Sequence, residues 1–298
     1  MSALLHNRKA LAGLVLLGIF LGMALLGPAL VGDPTDFVAR PLEPPSGAHW
    51  LGTTGQGQDV LWQTVAGARP MLVVGFGVGL LVVAIGALVG TAAGYFGGWV
   101  GAGLHLLINV FLVIPGLPLM VCIAAYLPSG VGTMALVLTV TGWAYCARVF
   151  RAQTLALRAS DFVAAAQVAG EGHLRIIVAE MLPNMISPLV SAFIGASLYA
   201  LGAEAGLEFL GLGDLGRVSW GTTLYWARNE AALLTGSWWA FVPAGACLGL
   251  VGFALVLLNA AVDEFGNPRL RLARAFRRAT GVAREGMATP VLRGTAGE

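Results

Sequence analysis

Lysine is almost missing from this chain: Lys9 is the only one. A Gly-x4-Gly-Lys-Ser/Thr phosphate loop needs a lysine behind its glycine turn, and no such pattern surrounds Lys9. If a nucleotide drives the protein, another chain hydrolyses it. Charge of either sign is also scarce. Asp, Glu, Lys and Arg make up 11% of the 298 residues, against about 25% in a soluble domain. Cysteine occurs three times, as Cys122, Cys146 and Cys247, always inside an apolar run and never with Cys-x-x-Cys spacing. Neither a disulfide framework nor a zinc site is written. Of the four histidines, only His105 stands near an apolar run, with Asn109 beside it and no acid or thiol at ligand spacing. That pattern speaks against a metal centre. Catalytic chemistry has little to work with, and no cofactor site is expected in this chain.

What is present is apolar length. Hydrophobic residues make up 57% of the chain and mean hydropathy is +0.81, so the expectation is an all-α polytopic membrane protein. Against a span length of about 20 residues, six spans are read: 10–31, 70–95, 102–127, 131–149, 185–206 and 239–262. Arg8 and Lys9 before the first would also suit a signal peptide, but the apolar run is long and no clear Ala-x-Ala site precedes Asp33. An uncleaved span is expected. Pro115 and Pro118 predict a kink in the third span. Thirteen of the seventeen basic residues fall before span one, between spans four and five, or after span six; Arg40, Arg69, Arg217 and Arg228 fall on the other side. The positive-inside rule makes the richer side cytoplasmic and puts both termini there.

Outside the spans, residues 33–45 are rich in proline and acid and read as an extended linker. Two glycines before Asp59 describe a tight turn into a helix N-terminus. Residues 58–69 carry one apolar face and predict an interfacial helix. The longest ordered block between spans runs from Asp161 to Asn184. Ser160 and Asp161 are N-cap types, Gly170 and Gly172 interrupt a first helix, a second run covers 171–181, and Pro183 should stop it. Ala165, Ala166 and Ala169 keep the first helix small enough for another surface to approach. Glu204 and Glu208, four residues apart near the end of span five, share one helix face. They read as an acidic lip on the external opening of a path, with simple solvation at headgroup depth as the other reading.

These blocks resemble the permease subunits of ATP-binding-cassette importers. The family loop reads Glu-Ala-Ala, three residues, Gly, nine residues, Ile-x-Leu-Pro; Ala165, Ala166, Gly170, Leu182 and Pro183 stand at its spacing, while Ala164 and Glu180 depart from it. Asn184 and the Arg175-Ile-Ile run make the stretch most similar to the C-type permease of dipeptide and oligopeptide importers. Two further blocks resemble the same family in the same order. One runs from Leu51 to Asp59; the other comprises Glu204 to Gly213 followed by Ser219-Trp220-Gly221, with Glu208 in place of a family serine.

The resemblance implies the fold of a type I importer permease, six transmembrane helices with a cytoplasmic coupling-helix loop. It divides the chain into 1–69, a core at 70–268 holding the loop 150–184, and a basic cytoplasmic tail at 269–298. Asp161, Ala165, Ala166, Gly170, Leu182, Pro183 and Asn184 would engage an ATPase, and Glu204 and Glu208 would border the solute path. It also implies a second permease, two ATPases that bind ATP and magnesium, an external binding protein and a bilayer; no nucleic acid is expected. Short peptides are the implied solute, with nickel or a metal chelate as the alternative. An ion-driven carrier is disfavoured, because spans two, four and six hold no Asp, Glu, Lys or Arg in their middles.

The charge asymmetry is testable. Single cysteines at positions 59, 173 and 220, in a background free of native cysteine, are expected to react with an impermeant thiol reagent in intact cells at 59 and 220 only. Reaction at 173 alone would reverse the topology.

Overall fold

The structure, a computed structural model, describes residues 7–266. The tail from 269 lies outside the described residues. The chain is all-α and multi-pass. Among the described residues, five helices are long and apolar enough to cross a membrane: α1 (Arg8–Leu30), α2 (Val60–Tyr95), α5 (Val131–Arg158), α9 (Ile186–Phe209) and α11 (Val242–Gly266). A sixth crossing is made if α3 (Gly98–Val113) and α4 (Gly116–Tyr126) count as one broken span. Between α5 and α9 lie α6 (Asp161–Val168), α7 (His173–Arg175), a π-helical turn (Ile176–Met181) and α8 (Leu182–Asn184); α10 (Trp220–Asn229) follows α9.

Helix α2 is the axis of the bundle, flanked by α5, α9 and α1. Its inner face carries glycine. A Cβ on Gly90 would strike the Ala147 carbonyl oxygen of α5, and one on Gly79 would lie 3.0 Å from the Ser197 backbone nitrogen of α9. In lipid, where apolar surface has no reason to avoid its surroundings, such close backbone approach is what holds helices together. The grooves so formed are filled by Val74, Val78, Val82, Leu138, Phe150 and Ala200. A second core joins α1, α2, α9 and α11 around Phe20, Met71, Leu201 and Trp220.

Three expectations change. Residues 58–69 do not form a separate interfacial helix. Residues 60–69 are the first turns of α2, which runs unbroken through Pro70 for 36 residues, about 54 Å at 1.5 Å per residue. The kinked third span is two helices at 84°. Ile114 before Pro115 takes extended backbone angles (φ −66°, ψ 127°), as a residue preceding proline is pushed to do. Helix α5 continues nine residues past the expected end at 149, so the intervening loop begins at Ala159 rather than 150.

At the end of the bundle remote from that loop, the chain before α2 packs on α10 and on the turn before α11. Asp59 caps α2, accepting from the backbone N–H groups of Leu61 and Trp62, and its other oxygen meets His49 Nδ1 at 2.8 Å. Gly57 has φ +74°, and a Cβ there would strike the Ala39 carbonyl. The glycines read before Asp59 therefore make the tight turn. Trp239 Nε1 donates to the Thr53 carbonyl at 3.2 Å and ties the two segments together.

Close packing gives a contrast to measure. Gly90→Val should destabilise the detergent-solubilised protein by about 1–3 kcal/mol through overpacking. Gly77→Val on the same helix should be near neutral, because nothing lies within 4 Å of a Cβ there. Thermal unfolding of the two variants side by side checks the pair.

Candidate functional site

The segment from α6 to α8 is built on a core of its own. Val163, Ile176 and Met181 close over Tyr95 from the last turn of α2. Tyr95 Oη lies 3.0 Å from His173 Nδ1, and the two rings meet edge to face. Asp161 occupies the first turn of α6, where a carboxylate favours the positive end of the helix dipole. Ser160 is the N-cap by backbone angle, but its hydroxyl donates back to the Leu157 carbonyl.

Gly170 ends α6. Its N–H bonds the Gln167 carbonyl at 3.1 Å, and the Glu171 N–H bonds the Ala166 carbonyl at 3.1 Å. That pair of bonds is a Schellman motif. Gly170 has φ +81° and open space around its Cα, so backbone conformation, not crowding, requires glycine here. The interruption read from the sequence is therefore a helix stop of defined shape.

Pro183 does not stop the second run as expected. The hydrogen-bond ladder widens to a π turn ahead of it, with the Leu182 N–H bonding the Ile177 carbonyl, and Pro183 opens α8. A wider turn accommodates a residue that has no N–H to give. Asn184 Nδ2 donates to the Glu180 carbonyl at 2.7 Å. The Leu182-Pro183-Asn184 triplet thus turns the chain into α9 without leaving carbonyls bare.

Of the segment's small residues, Ala165 is exposed and Ala166 half-buried. Beside them Val168 is 90% exposed and Leu174 75% exposed, with Phe162 and Val178 also at the surface. The faces of α6 and α7 turned away from Tyr95 are apolar and uncovered. Such a patch marks an interaction surface.

A cavity of about 900 Å³ opens between α5, α9 and α11, with Val82 of α2 at its back. Ser187, Ser191, Gly195 and Tyr199 line it at four-residue intervals along α9, a distance of about 18 Å. Thr141 Oγ1 and Tyr199 Oη are 2.9 Å apart at one end. Gly142 leaves the Tyr199 ring its room: a Cβ would meet the ring at 2.8 Å. Asn184, Gln153 and Asp263 line the end nearest the α6–α8 segment. The sequence reading missed this cavity. The polar residues spaced by four on span five were a usable signal; Asp263 was passed over because it lies one residue beyond the expected end of span six.

Glu204 and Glu208 do share a face of α9, but the expectation of a water-reached lip is corrected. They are 2% and 8% exposed, do not line the cavity, and face α10. Ser219 Oγ donates to Glu208 Oε2 at 2.5 Å. The space next to that carboxylate is the one a Cβ on Gly221 would occupy. Trp220 between them is fully buried, with Nε1 donating to the Thr64 carbonyl at 2.8 Å, and Asp59 is buried as the cap of α2. The expectation that both are open to an aqueous thiol reagent is therefore corrected: exposed Trp50, in the same segment as Asp59, is the position for the outward label. The Glu204–Gly213 stretch and the Ser219-Trp220-Gly221 triplet are halves of one interlock between α9, α10 and α2.

Comparison with known proteins follows the same outline. Residues 67–267 match the family described as binding-protein-dependent transport system inner membrane component. The chain is 33% identical over 272 residues to a dipeptide transport system permease protein of Bacillus subtilis, covering 89% of this chain and 83% of that one. It is 35% identical over 283 residues to an oligopeptide transport system permease protein of Mycobacterium bovis, covering 92% and 94%.

The interlock predicts a cost. Ser219→Ala leaves the buried Glu208 carboxylate without its donor and should destabilise by about 1–3 kcal/mol. Adding Glu208→Gln should recover part of it, because a neutral amide tolerates burial better than an unpaired carboxylate. Denaturation of the single and double variants measures the coupling.

Proposed function

The chain belongs to the family of binding-protein-dependent transport system inner membrane components, and on that premise we propose that it is a permease subunit importing short peptides. The peptide assignment draws on the printed names of its relatives and on the cavity, whose length suits an extended chain of about five residues. Its partners on this reading are a second, related permease, two ATPase subunits carrying ATP and magnesium, and an external binding protein. This chain catalyses no hydrolysis itself. Both termini and the α6–α8 segment face the cytoplasm, as the distribution of basic residues argues.

One observation carries the coupling role: an apolar, exposed helical surface held on its own small core and joined to the end of α2 through Tyr95. Closure of the ATPase dimer would push on Phe162, Val168 and Leu174. Tyr95 and Met185, both buried, would pass that displacement to α2 and α9. The cavity between α5, α9 and α11 then alternates between the two sides of the membrane. Energetically this is a two-state bundle biased by nucleotide.

Gly170 is the residue to test. An L side chain at φ +81° costs about 1–2 kcal/mol of local strain, which α6 relieves by shifting relative to its ATPase. In the reconstituted complex, Gly170→Leu is expected to retain ATP hydrolysis while peptide uptake falls at least about ten-fold, the equivalent of ~1.4 kcal/mol. Wild-type uptake in that variant would overturn the coupling role.

A further inference from the structure

We propose that Asp263 and Asn259 form an ammonium-recognising subsite at the segment-facing end of the cavity, and that this subsite sorts peptides by charge. The inference deepens the peptide-import reading and rests on it.

Two adjacent acids near the end of α11 divide their work. Glu264 turns to α1, where it accepts from Asn7 Nδ2 at 3.0 Å and meets Lys9 Nζ at 3.6 Å. Asp263 turns the other way and lines the cavity. Its Oδ1 accepts from Ser191 Oγ at 2.9 Å, a neutral contact that orients the carboxylate without neutralising it. Among the described residues it has no ion-pair partner.

Among the described residues the rest of the lining carries no basic side chain, and Asp263 is its one formal charge. One turn earlier on the same helix, Asn259 also lines the cavity, and its Oδ1 is buried with no hydrogen-bond partner among the described residues. A buried carbonyl oxygen without a donor is uncommon, and because Asn259 is only half-buried, a turn of its side chain presents that oxygen to a ligand in the cavity. A carboxylate and a bare carbonyl oxygen one turn apart suit a group that is both cationic and rich in N–H. The primary ammonium of a lysine side chain is that group. The opposite end, with the Thr141 and Tyr199 hydroxyls, can donate and accept and so fits neutral backbone amides. The lining offers no cation to an acidic side chain, which would meet Asp263 as a like charge.

The test uses the complete reconstituted complex with saturated binding protein and three tripeptides: Ala-Lys-Ala, Ala-Ala-Ala and Ala-Glu-Ala. Ratios of maximal uptake between peptides, compared across variants, cancel the binding protein's own preference. In Asp263→Asn the uptake of Ala-Lys-Ala relative to Ala-Ala-Ala should fall about five-fold, the effect of one solvent-accessible charge contact. Ala-Glu-Ala should gain relative to Ala-Ala-Ala, and Asp263→Glu should restore the wild-type order. Asn259→Leu should lower the Ala-Lys-Ala ratio in the same direction and stands in if Asp263→Asn does not assemble. Equal change for all three peptides, or no change, overturns the subsite. A wild-type complex that imports none of them overturns peptide import itself, which is a separate result.

Discussion

The arrangement depends on how closely α5 and α9 approach α2. Gly79 and Gly90 remove the side chains that would hold the backbones apart, and Val74, Val78 and Val82 fill the spaces around them. Without that approach the bundle would have only lipid-like side chains to pack with, and these gain little over lipid itself. The same economy shapes the cavity: Gly142 yields to the Tyr199 ring, whose hydroxyl then reaches Thr141. Because α2 is continuous from Val60 to Tyr95, one rod joins the segment packed on α10 at its start to the α6–α8 segment at its end. A displacement at one terminus has no hinge in which to dissipate.

The buried Glu208 carboxylate is provided for within the bundle. An unpaired polar group in a dry interior costs more than a satisfied one returns. Glu208 meets this by taking the Ser219 hydroxyl, and Gly221 keeps its place clear. The α6–α8 segment follows the same rule in its backbone. A Schellman stop, a π turn and the Asn184 amide account for carbonyls that two helix breaks would otherwise expose. The segment is therefore stiff within itself and attached to the bundle at few points.

Much of this was legible in the residues. Apolar length predicted the spans, because about 20 such residues exceed what a soluble core of this size can bury. The glycine stop at Gly170 and the cap at Asp59 were legible as well, since backbone conformation and capping are decided within a few residues. Local chemistry misled where longer-range packing outweighed it. Pro70 reads as a helix start, yet α2 passes through it because both sides are held by α9 and α10. Pro183 reads as a stop, yet a π turn carries the chain onward.

By itself the sequence determined the class of the molecule, its spans, its charge asymmetry and the position of the helical segment between α5 and α9. These follow from composition and from contacts within one or two helical turns. Only the tertiary structure decided what Glu204, Glu208 and Asp263 face. All three are acids near a helix end, and no local pattern separates them. The rotation of α9 and α11 in the bundle turns the first two into a dry interlock with α10 and the third into the lining of a cavity. That rotation is set by which faces carry glycine and which carry bulk on helices far apart in the chain, so it exists only once the bundle has packed.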